Sequence, residues 1–334
     1  QVSPLGSAFP DSQLLYPPKL IQIMGQLSRN RHSYDQTSNL PPGNLALRKL
    51  IAQRYCMQGI PTDADDIVIT SGGLEALNLS LQAITQPGDY ILLQQTIFYG
   101  AWQAAERLGL KVITLPEHPQ HGFDIEAFEQ VIKNYPIKVC WFMLNAYNPI
   151  GFTVSDEIKY KIAKLLHEHQ IHLIEDDVYE ELFYGNQKPL PMKYFDQQNL
   201  VLHCSSFSKT LGSGFRMGWV YAGKFSEHIQ HLQLMSTISA NALIQNALVA
   251  FLSHHHYEKH LRTLRRALEK NKKQFFQYLK QHLPKDCKVY NYPSGYFLWI
   301  QLPDKVSSMQ VYEQLIQQQV GVAPSPLFNV LPSH

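Results

Sequence analysis

Cysteine, charge of one sign and long apolar runs are all scarce in this chain of 334 residues. Its four cysteines lie far apart without a Cys-x-x-Cys pair, which argues against a disulfide framework and favours a reducing cytoplasm. A formal net charge of +2 gives no electrostatic case for a nucleic-acid or membrane protein. The apolar run at residues 243–252 is too short to span a bilayer. The three histidines at 254–256 lack a pattern of carboxylates or cysteines, so we predict a solvated helix end and no metal.

The composition is that of a globular protein, with 45% apolar and 17% charged residues, and the length suits two domains. Apolar runs typical of strands alternate with helical patterns up to about residue 222, which predicts a largely parallel sheet covered on both faces. The predicted strands lie at 67–69, 90–93, 112–115, 139–144, 171–174, 200–203 and 219–222. A long helical stretch then runs to about residue 283, followed by two short strands.

This organisation predicts three parts: an N-terminal arm at 1–43, a large domain at 44–224 and a small α+β domain at 225–334. The sequence begins with Gln1 rather than Met, shows no signal peptide, and closes outside any recognisable element. We therefore expect further residues of the natural protein at each end.

The most informative segment is Cys-Ser-Ser-Phe-Ser-Lys-Thr at 204–210, directly after a predicted buried strand. Its lysine, Lys209, would attack an aldehyde as an amine nucleophile. Ser206, Ser208 and Arg216 would hold the phosphate oxygens of the same ligand. Taken alone, a surface lysine in a polar loop explains this segment equally well.

Other predicted strands also end in side chains suited to a ligand, and ligands of open parallel sheets bind at these ends. Gly72 and Gly73 allow close backbone approach of a phosphate at a helix start, although a tight turn explains them nearly as well. Phe98 can stack on a flat ring or serve the core. Asn148 can donate to a phenolate oxygen or belong to a turn.

Clustered carboxylates follow the predicted strand at 171–174, in the segment Glu-Asp-Asp-Val-Tyr at 175–179. Burying them is costly unless one meets a positive partner, and a protonated pyridine nitrogen is such a partner for Asp176. Tyr179 would donate to the same phenolate oxygen as Asn148. A metal-binding or helix-capping acid pair remains the alternative.

These segments, in this order, resemble the class I/II aminotransferases of pyridoxal-phosphate fold type I. The motifs are Asn-Pro-x-Gly at 148–151, Asp-x-x-Tyr at 176–179 and Ser-x-Ser-Lys at 206–209, with Arg216 beyond them. The resemblance implies an α/β fold, the PLP-dependent transferase fold type I, with a large domain of mostly parallel sheet covered by helices and a smaller α+β domain. A serine acyl-enzyme, suggested by Ser-x-x-Lys at 206–209, lacks its companion motifs.

The resemblance implies pyridoxal 5′-phosphate as the cofactor and gives the site residues their roles. Lys209 would form a Schiff base with the cofactor and carry the proton, and Asp176 would face the ring nitrogen. Asn148 and Tyr179 would donate to the phenolate oxygen, and Phe98 would stack on the ring. The implied phosphate ligands are Gly72, Gly73, Leu74, Ser206, Ser208, Arg216 and, from the neighbouring subunit, Tyr34.

A narrower resemblance, carried by the segments at 6–11, 40–43, 174–179 and 203–209, is to the aminotransferase-like domain of MocR-type GntR regulators. It implies an effector-sensing homodimer with shared sites, an amino acid or amine as ligand, and DNA binding only through a winged helix that precedes the chain. A free-standing aminotransferase is the alternative, so the sequence leaves open whether turnover occurs. The family's substrate-carboxylate arginine follows a segment like the one at 320–328, and we expect it beyond the end of this chain. The basic stretch at 260–273 is interpreted as a solvated helix face, with help in DNA binding as the alternative.

Overall fold

Strands and helices alternate through most of the chain in a computed structural model that describes residues 2–35, 37–117 and 122–329. Most of the predicted elements are present, with bounds shifted by one to three residues. The strands are β1 (Ser3–Pro4), β2 (Ile67–Thr70), β3 (Tyr90–Gln94), β4 (Lys111–Leu115), β5 (Ile137–Phe142), β6 (His172–Asp176), β7 (Val201–Ser206), β8 (Gly218–Tyr221), β9 (Lys288–Tyr290), β10 (Trp299–Gln301) and β11 (Val320–Gly321).

Half of the ten described α-helices begin where a polar side chain caps the first turn. Asn44, Asp124, Ser155 and Asn241 each accept hydrogen bonds from backbone N–H groups at a helix start. The α-helices are α1 (Pro18–Leu27), α2 (Leu45–Met57), α3 (Gly73–Ile84), α4 (Tyr99–Arg107), α5 (Ile125–Asn134), α6 (Asp156–His169), α7 (Ser226–Ser236), α8 (Ala242–Ser253), α9 (His256–His282) and α10 (Ser308–Gln317).

The central sheet of the described residues has seven strands in the order β2-β8-β7-β6-β5-β3-β4. β8 runs antiparallel to both of its neighbours, and the other pairs are parallel. This arrangement confirms the predicted mostly parallel sheet. Because β2, β3, β5, β6 and β7 point the same way, their carboxyl ends meet at one edge of the sheet.

Side chains alternate between the two faces of this sheet. Trp141 and Ile174 pack with α3 and α4 on one face, whereas Phe142 and Leu173 pack with α5 and α6 on the other. The same alternation places Asp176, two residues beyond Ile174, on the face that carries α3. Both faces are covered, which explains why the strands are continuous apolar runs.

The helical stretch predicted to run to residue 283 is divided into α7, α8 and α9. Ile238 and His255, with positive φ angles, interrupt it between these helices. The 27-residue helix α9 leads to the antiparallel pair β9–β10, and β11 pairs in parallel with β1. The arm is therefore joined to β11 near the end of the described residues, while the division into three parts stays a prediction.

A search of the described helices finds none with both the length and the apolar character needed to cross a membrane.

Candidate active site

Five of the predicted site segments lie where strands end at the same edge of the sheet. Asp176 is the last residue of β6, and Lys209 lies three residues beyond β7. Gly72, Phe98 and Asn148 follow β2, β3 and β5 within a few residues. The fold thus brings together polar and aromatic groups that are up to 137 positions apart in the chain.

Lys209 occupies the centre of this edge, and its side chain is largely buried. Its Nζ donates a hydrogen bond of 2.9 Å to the Ala8 carbonyl. The same atom lies 5.0 Å from the centre of the Phe9 ring and 5.4 Å from that of Tyr179. Burial lowers the pKa of Lys209 to about 8, with Asp176 opposing the shift and Arg216 adding to it. A substantial fraction of the amine is therefore neutral near neutral pH.

Asp176 is 3% exposed, and its Oδ1 has no hydrogen-bond partner among the described residues. Burial and the neighbouring Asp177 raise its pKa to about 7, while the Val178 N–H opposes that shift. A buried carboxyl oxygen without a partner is costly, so this side chain is suited to a cationic or N–H group supplied by a ligand.

Asn148 and Tyr179 lie side by side, with 3.5 Å between Asn148 Nδ2 and the Tyr179 hydroxyl oxygen. Both are buried, and burial raises the pKa of Tyr179 well above its usual value. The phenol consequently keeps its proton at all physiological pH values. Two hydrogen-bond donors therefore face the same region, as the sequence predicts for a ligand oxygen.

Gly72 and Gly73 form a narrow passage beneath Arg216. Gly72 has φ of +100°, and a Cβ atom on it would lie 2.5 Å from Nη2 of Arg216. That guanidinium also donates a hydrogen bond of 3.2 Å to the Ser71 carbonyl. No side chain caps the start of α3, so the N–H groups of its first turn are available to an anion.

The two predicted phosphate-binding serines lie close to this passage. Ser206 Oγ accepts a hydrogen bond of 3.4 Å from the Ser208 N–H. Ser208 Oγ is buried and has no partner among the described residues. Leu74, also predicted here, is half-exposed in the first turn of α3.

Phe98 and Tyr34 make their described contacts outside this passage. Phe98 is half-buried at the start of α4, with its ring centre 4.6 Å from that of Tyr99. Tyr34 is 51% exposed, and its hydroxyl donates to the Ser28 carbonyl at 3.2 Å. Within one chain, Tyr34 is thus a surface residue.

The N-terminal arm packs over Lys209, and the sequence did not predict this contact. The Ala8 carbonyl accepts hydrogen bonds from Lys209 and, at 2.6 Å, from the Tyr296 hydroxyl. Phe9, above the amine, is 65% exposed. The segment at 6–11 carried a family resemblance in sequence, but nothing in its residue types indicated contact with Lys209.

On the opposite face of the sheet, a buried hydrogen-bond chain lies behind Asp176. His203 Nε2 donates to Asp177 at 3.1 Å, and its Nδ1 lies 2.6 Å from the Tyr55 hydroxyl. Asn145 Nδ2 donates to the same Asp177 oxygen at 2.9 Å. Burial alone would lower the pKa of His203, but the hydrogen bond to Asp177 and nearby carboxylates raise it. Asp177 is therefore held away from the ligand side by its own partners.

Glu175, Asp177 and His203 bring three possible metal-ligand atoms within 4.8 Å of one another. Both Glu175 oxygens accept from the Met192 N–H, whereas Asp177 Oδ1 has no partner among the described residues. The buried Lys159 amine lies next to the cluster, donating to Asn145 Oδ1 at 2.6 Å. Its positive charge opposes the rise in the pKa of Glu175 that burial causes.

Glu181 lies two residues beyond Tyr179, where three basic side chains contact it. They are Arg54 at 2.6 Å, Lys188 at 2.8 Å and Arg265 at 2.7 Å. Burial would raise the pKa of Glu181, but these cations hold it far below its usual range. The carboxylate consequently ties α2 and α9 to the loop that follows Asp176.

The family model "Aminotransferase class I and II" matches residues 12–333 of this chain. The uncharacterised HTH-type transcriptional regulator YdcR of Escherichia coli (strain K12) is 46% identical over 328 residues, which are 98% of this chain and 70% of that protein. A second such regulator of the same strain, YjiR, is 32% identical over 331 residues, again 98% and 70%.

Among solved structures, kynurenine aminotransferase of Pyrococcus horikoshii superposes with a TM-score of 0.91 at 23% identity, over 98% of this chain and 82% of that chain. This likeness confirms the predicted fold, the PLP-dependent transferase fold type I. The family match confirms the cofactor predicted from the sequence, pyridoxal 5′-phosphate. The chain belongs to the class I and II aminotransferase family.

Proposed function

We propose that the chain is the ligand-sensing domain of a MocR-type transcription regulator, in which pyridoxal 5′-phosphate on Lys209 meets an amino acid or amine. The observation that carries the proposal is the pair formed by the largely buried Lys209 amine and the Asp176 carboxyl, whose Oδ1 has no partner among the described residues. The regulator assignment is supported by 46% identity to a protein named as an HTH-type transcriptional regulator. In this proposal DNA is bound through a winged helix that lies outside this chain, and the protein works in the cytoplasm.

Three features of the structure fit this cofactor. Asp176 Oδ1 has no partner and lies where a protonated ring nitrogen can be received. Ser208 Oγ is likewise unpartnered beside the uncapped start of α3, as a phosphate requires. Gly72 lets the Arg216 guanidinium approach the backbone so closely that a Cβ there would overlap it.

When bound, the cofactor supplies an aldehyde for amine exchange and a ring that stabilises negative charge on the bonded carbon. Lys209, with its lowered pKa, binds as a neutral amine and afterwards accepts or returns a proton at Nζ. Asp176 would keep a proton on the ring nitrogen, while Asn148 and Tyr179 would donate to the ring oxygen. Arg216, Ser206 and Ser208 would hold the phosphate, and Phe98 would stack on the ring.

We further propose that two copies share their sites, with Tyr34 reaching the neighbouring subunit's phosphate. The ring of Tyr34 is exposed in the single chain, as such a role requires. The Thr237 hydroxyl donates a hydrogen bond to the Glu75 carboxylate, which joins the end of α7 to the start of α3. Near this bond, the side chains of Leu74 and Met235 are 45% and 86% exposed. Exposed apolar side chains such as these two are available for contact with a second copy.

Sedimentation should give a dimer, and Tyr34→Phe should weaken cofactor binding within it. The exposed Tyr160, on α6, provides the control: Tyr160→Phe should leave cofactor affinity unchanged. Equal affinities in the two variants would count against a shared site.

The cofactor proposal is tested by borohydride reduction of the loaded protein, followed by peptide mapping. The label should lie on Lys209. Lys272 is an internal control, because burial also lowers its pKa to about 8 while its amine donates to the carbonyls of Tyr292 and Ser294. A label on Lys272, or none, would remove the basis of the proposal.

A free-standing aminotransferase is the second candidate, favoured by the presence of Lys209, Asp176 and Tyr179 together at one sheet edge. Determining the gene sequence upstream of Gln1 separates the two. A winged helix encoded there supports the regulator, and its absence there supports the enzyme.

A further inference from the structure

Six basic side chains form one line along the outer face of α9, and we call this line the basic stripe. Its members are Lys259, Arg262, Arg266, Lys270, Lys273 and Lys280. They are separated by 3, 4, 4, 3 and 7 residues, and all six are exposed. At 3.6 residues per turn they fall within about 80° of the helix circumference and extend over about 32 Å.

The structure separates these residues from the other bases of the same helix. Arg265 points inward to Glu181, and Lys272 donates to two backbone carbonyls at 2.8 Å. Leu261, Leu264 and Leu268 form the buried side of α9, opposite the basic stripe. The basic stretch at 260–273 therefore contains exposed residues that belong to the basic stripe and residues such as Arg265 and Lys272 that bind the protein's own groups.

The basic stripe is not neutralised by its own protein. None of its six side chains has an ion pair or side-chain hydrogen bond within the described part of the chain. Of the two acids on α9, Glu258 is paired with Arg54, and Glu269 lies beside the stripe rather than in it. A chain with a net charge of only +2 thus concentrates six unpaired cations on one helix face.

We propose that the basic stripe contacts the phosphate backbone of duplex DNA. This inference rests on the proposed function, in which the chain belongs to a DNA-binding regulator. The stripe's length of about 32 Å is close to one turn of B-DNA, and such rows of Lys and Arg bind phosphates without reading sequence. A membrane surface fits less well, because no apolar side chain lies within the stripe to enter a bilayer.

The probe is a fluorescent 30-base-pair duplex of arbitrary sequence, titrated with the cofactor-loaded chain at several salt concentrations. The stripe variant carries Arg262→Gln, Arg266→Gln, Lys270→Gln and Lys273→Gln. The control carries the same number of neutralisations at scattered exposed lysines, namely Lys49→Gln, Lys138→Gln, Lys285→Gln and Lys305→Gln. Both variants have the same net charge, so only the position of the lost cations differs.

The wild-type chain and the control should bind with similar affinity and salt dependence. The stripe variant should bind at least about tenfold more weakly at 100 mM salt, with the slope of log K against log salt reduced by about four. A half-stripe variant, Lys270→Gln with Lys273→Gln, should lose about half of that slope. Absorption of the bound cofactor should be the same in all four proteins.

Equal binding by the stripe variant and the control overturns the proposal, as does absence of wild-type binding at 25 mM salt. Tighter binding to phosphatidylserine vesicles than to the duplex overturns the assignment to DNA. These failures are distinct from failure of the proposed function, which shows in the borohydride label on Lys209 and in the upstream gene sequence.

Discussion

Because the pKa of Lys209 is about 8, its amine should react with aldehydes far faster at neutral pH than an ordinary lysine does. Only the neutral amine attacks a carbonyl. At pH 7 a group with a pKa of 8 is neutral in about one molecule in ten, whereas one with a pKa of 10.5 is neutral in about one in 3000. The expected advantage is about 300-fold, and the rate should rise tenfold per pH unit before levelling off above pH 8.

Two substitutions should move this pH profile in opposite directions. Asp176 opposes the lowering of the pKa of Lys209, so Asp176→Asn should shift the midpoint below 8. Arg216 contributes to the lowering, so Arg216→Gln should shift the midpoint above 8. Burial of Lys209, which is the largest cause of its lowered pKa, is unchanged in both variants.

The assay uses acetaldehyde with cyanoborohydride, and mass spectrometry follows the labelling of Lys209. Acetaldehyde has neither a phosphate nor a ring, so the labelling rate does not depend on how the variants change cofactor affinity. Labelling of the exposed Lys49 in the same samples corrects for the reagent's own pH dependence. A profile that still rises above pH 9.5, or two variants that shift it in the same direction, would refute the reasoning.

Three further predictions concern backbone space and buried polar groups. Gly72→Ala should weaken cofactor binding at least about tenfold in a fluorescence titration, because its methyl group would lie 2.5 Å from the Arg216 guanidinium. Gly88→Ala, at φ of +94° but in open space, should leave that affinity unchanged. Tyr55→Phe should lower the free energy of unfolding in urea by about 1–3 kcal/mol, since it leaves a buried imidazole without its partner. Glu181→Gln should cost about 3–5 kcal/mol at pH 7 by unpairing buried cations, and this difference should shrink below about pH 4, where Glu181 of the unfolded chain binds a proton while the folded carboxylate, with its lowered pKa, stays ionised.

The meeting of the candidate site segments at one sheet edge could be predicted from the sequence, because the apolar runs show where strands end. Apolar runs locate the strands, and the residues that follow them must meet at one edge once the sheet is parallel. The two-residue period also accounts for the separation of Asp176 from Glu175 onto opposite faces. The apolar run at 171–174 predicts too early an end for β6. Glu175 and Asp176 continue the strand, although acidic residues are uncommon in strands.

Contacts made by the backbone or across long sequence separations could not be predicted in this way. The Ala8 carbonyl meets Lys209 from 201 positions away, and a carbonyl group has no sequence signature. The Tyr55–His203 hydrogen bond is likewise decided by how α2 packs on β7, which local patterns do not contain. In α9, the helical period predicts which basic side chains face solvent. The pairing of Arg265 with Glu181 depends on tertiary packing, which that period does not contain.

Helix α9 carries the basic stripe and also contacts the segment that follows Asp176 in the candidate active site. The outer face of α9 carries the basic stripe, and Arg265 on its inner side binds Glu181. Glu181 follows Asp176 by five residues, in a segment that includes Tyr179. Because Glu181 is buried and held by three cations, displacing it would cost several kcal/mol, so the loop and α9 should move together rather than separately. The Glu181–Arg265 ion pair thus joins the segment that follows Asp176 to the helix that carries the basic stripe.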